Sequence, residues 1–377
     1  MYHNHFDYII IGNGLAGLQL ALAFSKDAFF NTKKIALIDK SSKSSNDKTW
    51  CFWEKNKGNW DHLVYKNWKA GSVITTDKKT EFSLMPYQYK MIRAIDFYQD
   101  AFSNLKSNPQ FTLIQEEVKE TFGLKVSTSK ANYTANHIFD SRIPAEYFKN
   151  KGKHTKIYQH FKGWMIETNK PIFDVEKFTM MDYRLKWKDS TSFTYVLPIS
   201  SRKAFVEYTF FTPFTTEEEV YTIQLKKYIS EILKIKDYKI IETEKGIIPM
   251  TDFPFYTYNT PQLTKIGTAG GWVKASTGYS FKHTEKKVAL ILENIKNNCS
   301  LTNGLYSNKY QYFDKIFLKV LEQDNNKGEW IFEQFYAKNS IENIFKYLDE
   351  ETTTLQDLKI MSSLFSSAFI KAFFKTL

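Results

Sequence analysis

Cysteine is scarce in this chain: Cys51 and Cys299 are the only two in 377 residues. They stand far apart and form no CxxC pair. That excludes a disulfide framework and a cysteine zinc site, and it fits a reducing compartment. Arginine is scarce in proportion. Only Arg93, Arg142, Arg184 and Arg202 occur among 52 basic residues, although the net charge is +11. Readers of nucleic acid lean on the guanidinium fork, and the lysines here form no basic cluster, so nucleic acid is not an expected partner. Diffuse lysine suits a solvated surface with some attraction to anionic lipid headgroups. Long apolar runs are missing as well. The longest uncharged stretch, residues 8–25, holds Asn13, Gln19 and three glycines, which a membrane span would not favour. The first ten residues lack the basic region that opens a signal peptide.

Aromatic residues are what the chain has in excess, at 17% of the sequence. So many rings imply a large apolar pocket or a surface that sits in lipid, the alternative being a codon bias toward A and T as a partial source. Apolar residues at 42% and charged residues at 25% are globular values, and the length suffices for two or three domains.

The clearest motif lies near the start. Residues 7–11 form a short β-branched run, followed by Gly12-Asn13-Gly14-Leu15-Ala16-Gly17, a helical stretch over 18–24, and a second apolar run over 34–38 ending in Asp39. Strand, glycine turn, helix and strand occur in that order, with an acid 22 residues after the last glycine. Gly12 makes the tight turn, Gly14 lets backbone approach a pyrophosphate, and Gly17 lets helix and strand pack closely. The N–H groups near Leu15 and Ala16 would receive the phosphates, and Asp39 a ribose diol. The motif predicts a bound dinucleotide. Its place at the amino terminus is what large FAD proteins commonly show, and a second tightly bound dinucleotide is not expected.

Beyond Asp39 a polar loop leads to Trp50, Trp53, Trp60 and Trp68, which read either as an aromatic wall beside a ligand or as core. A helical segment over 90–105 carries Arg93, a candidate phosphate contact or a surface ion pair. From 155 to 210 strands follow one another without intervening helices, the pattern of an antiparallel sheet, with a hairpin joining 193–198 to 204–211. Glu207 lies in that hairpin among rings. Desolvation there would raise its carboxyl pKa and keep it protonated, as a general acid requires; on the wet face of an edge strand it would do nothing. Residues 245–249 read as a turn. A late strand and glycine loop, including Gly267, Gly270 and Gly271, completes the dinucleotide domain, with a helix start that could face a flavin ring or phosphates. The tail beyond about 308 reads as helical, with Met361, Leu364, Phe365, Ala368, Phe369, Ala372 and Phe373 making an apolar stripe. That stripe suits an interfacial helix or a helix packed on the core.

The fold class expected is α/β, with a Rossmann-like FAD-binding domain from 1–150 and 255–300. A mainly antiparallel substrate domain over 151–254 and a helical C-terminal region over 301–377 complete it.

Several of these stretches together resemble the flavoprotein-type lycopene β-cyclases of carotenoid-producing bacteria. They are the glycine fingerprint, Thr49-Trp50-Cys51-Phe52-Trp53-Glu54, Phe139-Asp140-Ser141-Arg142, residues 159–164 and 195–198, Phe205-Val206-Glu207-Tyr208-Thr209, and residues 270–279. The resemblance implies non-covalent FAD working in its reduced form, NAD(P)H as reductant, and Glu207 as the essential carboxylate. It implies lycopene and other acyclic carotenoids as substrates, and a cytoplasmic protein peripherally associated with the inner face of the plasma membrane. Gly267-Thr268 departs from the Gly-Asp of many related flavoproteins. The rival enzyme class is an FAD-dependent monooxygenase acting on an apolar substrate, and the rival without catalysis is a carotenoid-binding surface protein.

Overall fold

A computed structural model describes residues 4–149 and 152–376. Two seven-stranded sheets, a three-stranded sheet and a set of helices make up the architecture.

The first sheet is built on the β-branched runs. His5–Ile11 lies between Ile35–Ile38 and Asn132–Asp140, with Phe111–Ile114 beyond the former and Leu263–Lys265 beyond the latter; all of these pair in parallel. Val118–Phe122 and Lys125–Thr128 extend it antiparallel. Such parallel strands are buried on both faces, which is why they read as continuous apolar runs. Ile10, Ile35 and Leu37 face the helices Leu15–Lys26, Ala94–Lys106 and Phe281–Lys296. Ile9, Ile11, Ala36 and Ile38 pack instead with Val126 and Tyr133. Leu263–Lys265 thus adds a strand to the first sheet, and the helix Phe281–Lys296 packs on it.

The second sheet runs Tyr238–Thr251, Lys156–Thr168, Lys203–Thr212, Thr191–Ser200, Lys177–Asp182, Ala70–Ile74 and Lys79–Ser83. It is antiparallel except where Lys177–Asp182 meets Ala70–Ile74. One face, including Trp164, Ile166, Val206 and Phe210, is covered by the helix Glu218–Lys227. The other carries Met165, Phe193, Phe205 and Phe211 toward the C-terminal helices.

Three expectations change. Residues 70–83 belong to the second sheet, although they precede the expected boundary near 150, a point that lies outside the described residues. Residues 90–93 are strand, since the helix starts only at Ala94. Residues 245–249 are not a turn. They continue the strand Tyr238–Thr251, where Gly246 faces Phe161 across the pair and the Phe161 ring occupies the space a side chain would need: a Cβ there would stand 2.7 Å from it. Pro249 is tolerated because this strand is the sheet's edge.

The tail forms separate helices rather than one stripe. Asn308–Gln323, Gly328–Lys338 and Ile341–Leu348 are followed by Thr354–Ser363 and Ser367–Thr376, with a break at Leu364. Thr353 and Gln356 form a reciprocal capping box at the start of the fourth. Ala372 is fully buried, while Phe365 in the break and Phe374 in the last helix are exposed at 74% and 69%, so core packing and outward apolar residues share this end of the chain.

Candidate active site

The glycine turn shows why each glycine is there. Gly12 has φ +99, and a Cβ on it would stand 2.0 Å from the Ser141 hydroxyl oxygen. A Cβ on Gly17 would stand 2.0 Å from the Gly12 carbonyl oxygen. Gly14 differs: nothing lies within 4 Å of its missing side chain, and it lines a cavity. It is the N-cap of Leu15–Lys26 and has no side chain to satisfy the first-turn N–H groups. Leu15 and Ala16 line the same cavity. An open, uncapped, positively polarised helix start fits a dinucleotide pyrophosphate. Asp39 ends the neighbouring strand; its carboxylate accepts from the Asn13 and Ser41 N–H groups at 2.7 Å each, which pins the turn to the strand end.

The late loop comes back to this turn. Gly267 has φ +61 and lines the cavity, and a Cβ on it would stand 3.1 Å from the Ala16 methyl group. Its neighbours do other things. Gly270 is buried against the Lys265 carbonyl and the Trp272 ring, and Gly271, at φ +66, faces a second cavity of about 510 Å³. Arg93 is not among the residues that line the cavity. Its Nη2 pairs with Glu242 at 2.9 Å and its guanidinium lies over the Tyr65 ring, so the ion-pair alternative is the one realised. Of the four tryptophans only Trp50 lines the main cavity; Trp53, Trp60 and Trp68 are core.

The cavity encloses about 620 Å³ and runs from the glycine turn to the inner face of the second sheet. That face carries a row of four residues in register across four strands. Tyr195 pairs with Glu207, Glu207 with Gly163, and Gly163 with Glu244. Directly opposed residues share a face, so both carboxyls rise from the same floor, separated by a residue without a side chain. The Phe205 ring takes the vacant space above Gly163, where a Cβ would stand 2.2 Å from it.

Glu207 is 9% exposed and Glu244 8%. Burial pushes the Glu207 carboxyl up to about 8, the Glu244 charge adds to that, and a hydrogen bond from the Thr209 hydroxyl at 2.6 Å opposes it. Glu244 is also raised by burial, against two donors: the Thr49 N–H at 2.9 Å and its hydroxyl at 2.7 Å. Rings close the chamber. Tyr89 hydrogen-bonds Tyr195, and its hydroxyl lies 2.9 Å from that of Tyr279. Burial pushes the Cys51 thiol up to about 12, so it acts as a small hydrophobe. Phe335 and Tyr336 contribute from the helix Gly328–Lys338. Sequence reasoning singled out Glu207 but missed Glu244, Thr49 and the tyrosine cluster. Alternation of Glu242 and Glu244 along one strand was a signal for Glu244; its pairing with Gly163 was not readable.

A family model described as lycopene cyclase protein matches residues 7–373. The chain belongs to the lycopene cyclase family. Among relatives of this cyclase-family chain, a chloroplastic lycopene beta cyclase of Arabidopsis thaliana is 27% identical over 74% of the chain and 58% of the relative. A chloroplastic neoxanthin synthase of Solanum lycopersicum is 26% identical over 73% and 57%. The chain therefore spans a little over half the length of the curated relatives it matches. Among solved structures, a geranylgeranyl bacteriochlorophyll reductase-like protein from Thermoplasma acidophilum superposes with a TM-score of 0.59 at 12% identity, over 99% of this chain and 100% of that one. A flavin-dependent brominase reaches 0.59 at 13%, over 95% and 93%. These identities speak for a shared fold. Among the described residues, no helix is long and apolar enough to cross a membrane.

Proposed function

We propose that the chain is a lycopene β-cyclase that converts the ψ-ends of lycopene to β-rings, by way of γ-carotene to β-carotene, with FAD in its reduced form. The observation that carries this reading is Glu207, a buried carboxyl held neutral near pH 7 on the floor of a ring-lined cavity that reaches a dinucleotide-type glycine turn. Family membership and the lycopene beta cyclase relative support it.

Glu207 is the general acid. It donates its proton to the terminal double bond of the ψ-end, leaving a tertiary cation. The neighbouring alkene closes on that cation, and loss of a ring proton gives the β-ring with no net redox change. Neutral Glu207 suits this step because a carboxyl near 8 is protonated at neutrality yet remains an effective acid. Phe205, Phe211 and Tyr279 line the cavity, and aromatic rings stabilise a cation held over them by about 0.5 to 2 kcal/mol each. Exclusion of water keeps the cation from being quenched to an alcohol. FAD would lie along Gly12, Gly14, Leu15, Ala16 and Gly17, with Asp39 at the ribose and Gly267 across from it, and would supply an electron-rich face, NAD(P)H being its reductant.

Other acyclic carotenoids belong to the same substrate class. The protein is cytoplasmic in this reading and touches the inner face of the plasma membrane through its tail, where Leu355, Phe365 and Phe374 are exposed beside Lys359, Lys371 and Lys375.

Expression in lycopene-accumulating bacteria, followed by chromatography of the pigment, tests the proposal. Cyclised pigment is expected. Unchanged lycopene bound to the protein would mean a carrier, and NAD(P)H and oxygen consumed in step with product would mean a monooxygenase. Glu207→Gln is expected to keep the flavin and lose cyclisation.

A further inference from the structure

Glu244 has no part in the reaction as written above, yet it is a second buried carboxyl on the same cavity floor. We propose that Glu207 and Glu244 act as a pair holding one proton: Glu207 carries it, and Glu244 is the charged positioning residue that keeps it there. The inference rests on the cyclase reading and deepens it by naming what sets the acid's protonation.

Three observations support it. The two carboxyls flank one glycine in a single cross-strand row, which sets their strands two spacings apart, on the order of 10 Å. Both are buried and the Phe205 ring fills the space over Gly163 between them, so each carboxyl feels the other's charge and both do not ionise easily. Their donors also differ. Glu244 receives an N–H and a hydroxyl from Thr49, with Lys48 nearby, whereas Glu207 receives only the Thr209 hydroxyl. Donors favour the ionised form, which puts the charge on Glu244 and the proton on Glu207.

The other groups that face the pair do not reverse this. Cys51, Tyr89, Tyr195 and Tyr279 are all kept neutral by burial. Asp47 stands near Glu244 and opposes Lys48 there; Glu242, on the same face two residues back, pairs with Arg93, and Lys245 points to the other face and pairs with Glu218. The helix Gly328–Lys338 meets the chamber with uncharged Phe332, Phe335 and Tyr336. In turnover the proton leaves Glu207 for the substrate alkene, one C–C bond closes, and the ring C–H gives a proton back. Nothing is oxidised or reduced. The freshly ionised Glu207 then stands beside a like charge, which drives its reloading.

The test is the pH dependence of kcat/KM for lycopene in the flavin-loaded enzyme, with reduced flavin. In the wild type, activity should fall as the pH rises through about 8, where Glu207 loses its proton. Glu244→Gln removes the like charge and should bring that limb about one pH unit lower, with flavin content retained; Glu244→Asp should keep the wild-type limb. An unmoved limb in Glu244→Gln overturns the pairing. Infrared spectra give a second readout that does not require turnover. The carboxylic C=O intensity lost at pH 7 in Glu207→Gln should be kept in Glu244→Gln; intensity lost in Glu244→Gln and kept in Glu207→Gln puts the proton on Glu244 and overturns the assignment. Failure of the wild type to cyclise lycopene would sink the reaction itself, while the infrared result would still decide the proton's place.

Discussion

Gly163 and Phe205 fit together through a missing side chain: a Cβ on the glycine would stand 2.2 Å from the phenylalanine ring, in the space between the two buried carboxyls. The substitution Gly163→Ala therefore cannot be absorbed without moving Phe205. Overpacking of this kind costs about 1 to 3 kcal/mol. The expected outcome is a folded protein with a lowered melting temperature and cyclisation reduced more than flavin content. A variant with wild-type turnover would mean that the ring's placement is not critical.

Glu207 also sets a pH dependence of stability. Its carboxyl is raised from the ordinary value of 4.5 to about 8 in the folded protein. Between those values the folded state holds a proton that the unfolded state has released, so stability falls as pH rises through that window and levels off above 8. Glu207→Gln removes this slope. Thermal melts at pH 6 and pH 9 should show the variant gaining on the wild type at the higher pH, by up to a few kcal/mol. Parallel curves would contradict the raised carboxyl.

The glycine turn makes a separate prediction about cofactor retention. Gly17→Ala sets a methyl group 2.0 Å from the Gly12 carbonyl oxygen, which pushes the helix start away from the strand. Protein purified with this change should lose most of its bound flavin absorbance. Arg93→Ala serves as the contrast, since Arg93 is committed to Glu242, and it should keep its flavin.

Lys274 offers a test of the fold alone. Its side chain is fully buried, 3.0 Å from Asp314 and 3.1 Å from Glu350, and those charges hold its proton against desolvation, above the usual lysine range. Lys274→Met would strand the buried Asp314 and the half-buried Glu350, at a cost of about 3 to 5 kcal/mol. Denaturant unfolding measures this directly, and a change below about 1 kcal/mol would show that the acids find other partners.

The readable parts of the sequence were those in which chemistry is local. The turn from Gly12 to Gly17, the parallel strands around it and Asp39 at the strand end follow from spacing alone, because Gly12 and Gly17 answer contacts within a few residues or with the end of the adjacent strand, and Gly14 opens on the cavity. Glu207 was legible as an acid among rings, and the hairpin around it from alternation. What could not be read depends on partners distant in the chain. Glu244 gains its meaning from Gly163, 81 positions earlier, and the pairing of Lys177–Asp182 with Ala70–Ile74 joins segments more than a hundred residues apart. Gly246 and Pro249 looked like a turn because a glycine and a proline signal one locally; an aromatic neighbour and an edge position overrode that signal. Arg93 was a plausible anion contact until Glu242 arrived from the second sheet.

The acid stands on an inner strand of the second sheet, laced to its neighbours on both sides, rather than on a loop. A loop-borne acid can be swung out of reach between turnovers; this one moves only if the sheet itself opens. Amide exchange at Glu207 should accordingly be among the slowest in the chain. In the proposed reaction, control over when the proton is used then falls to the walls of the chamber, which decide what comes within its range.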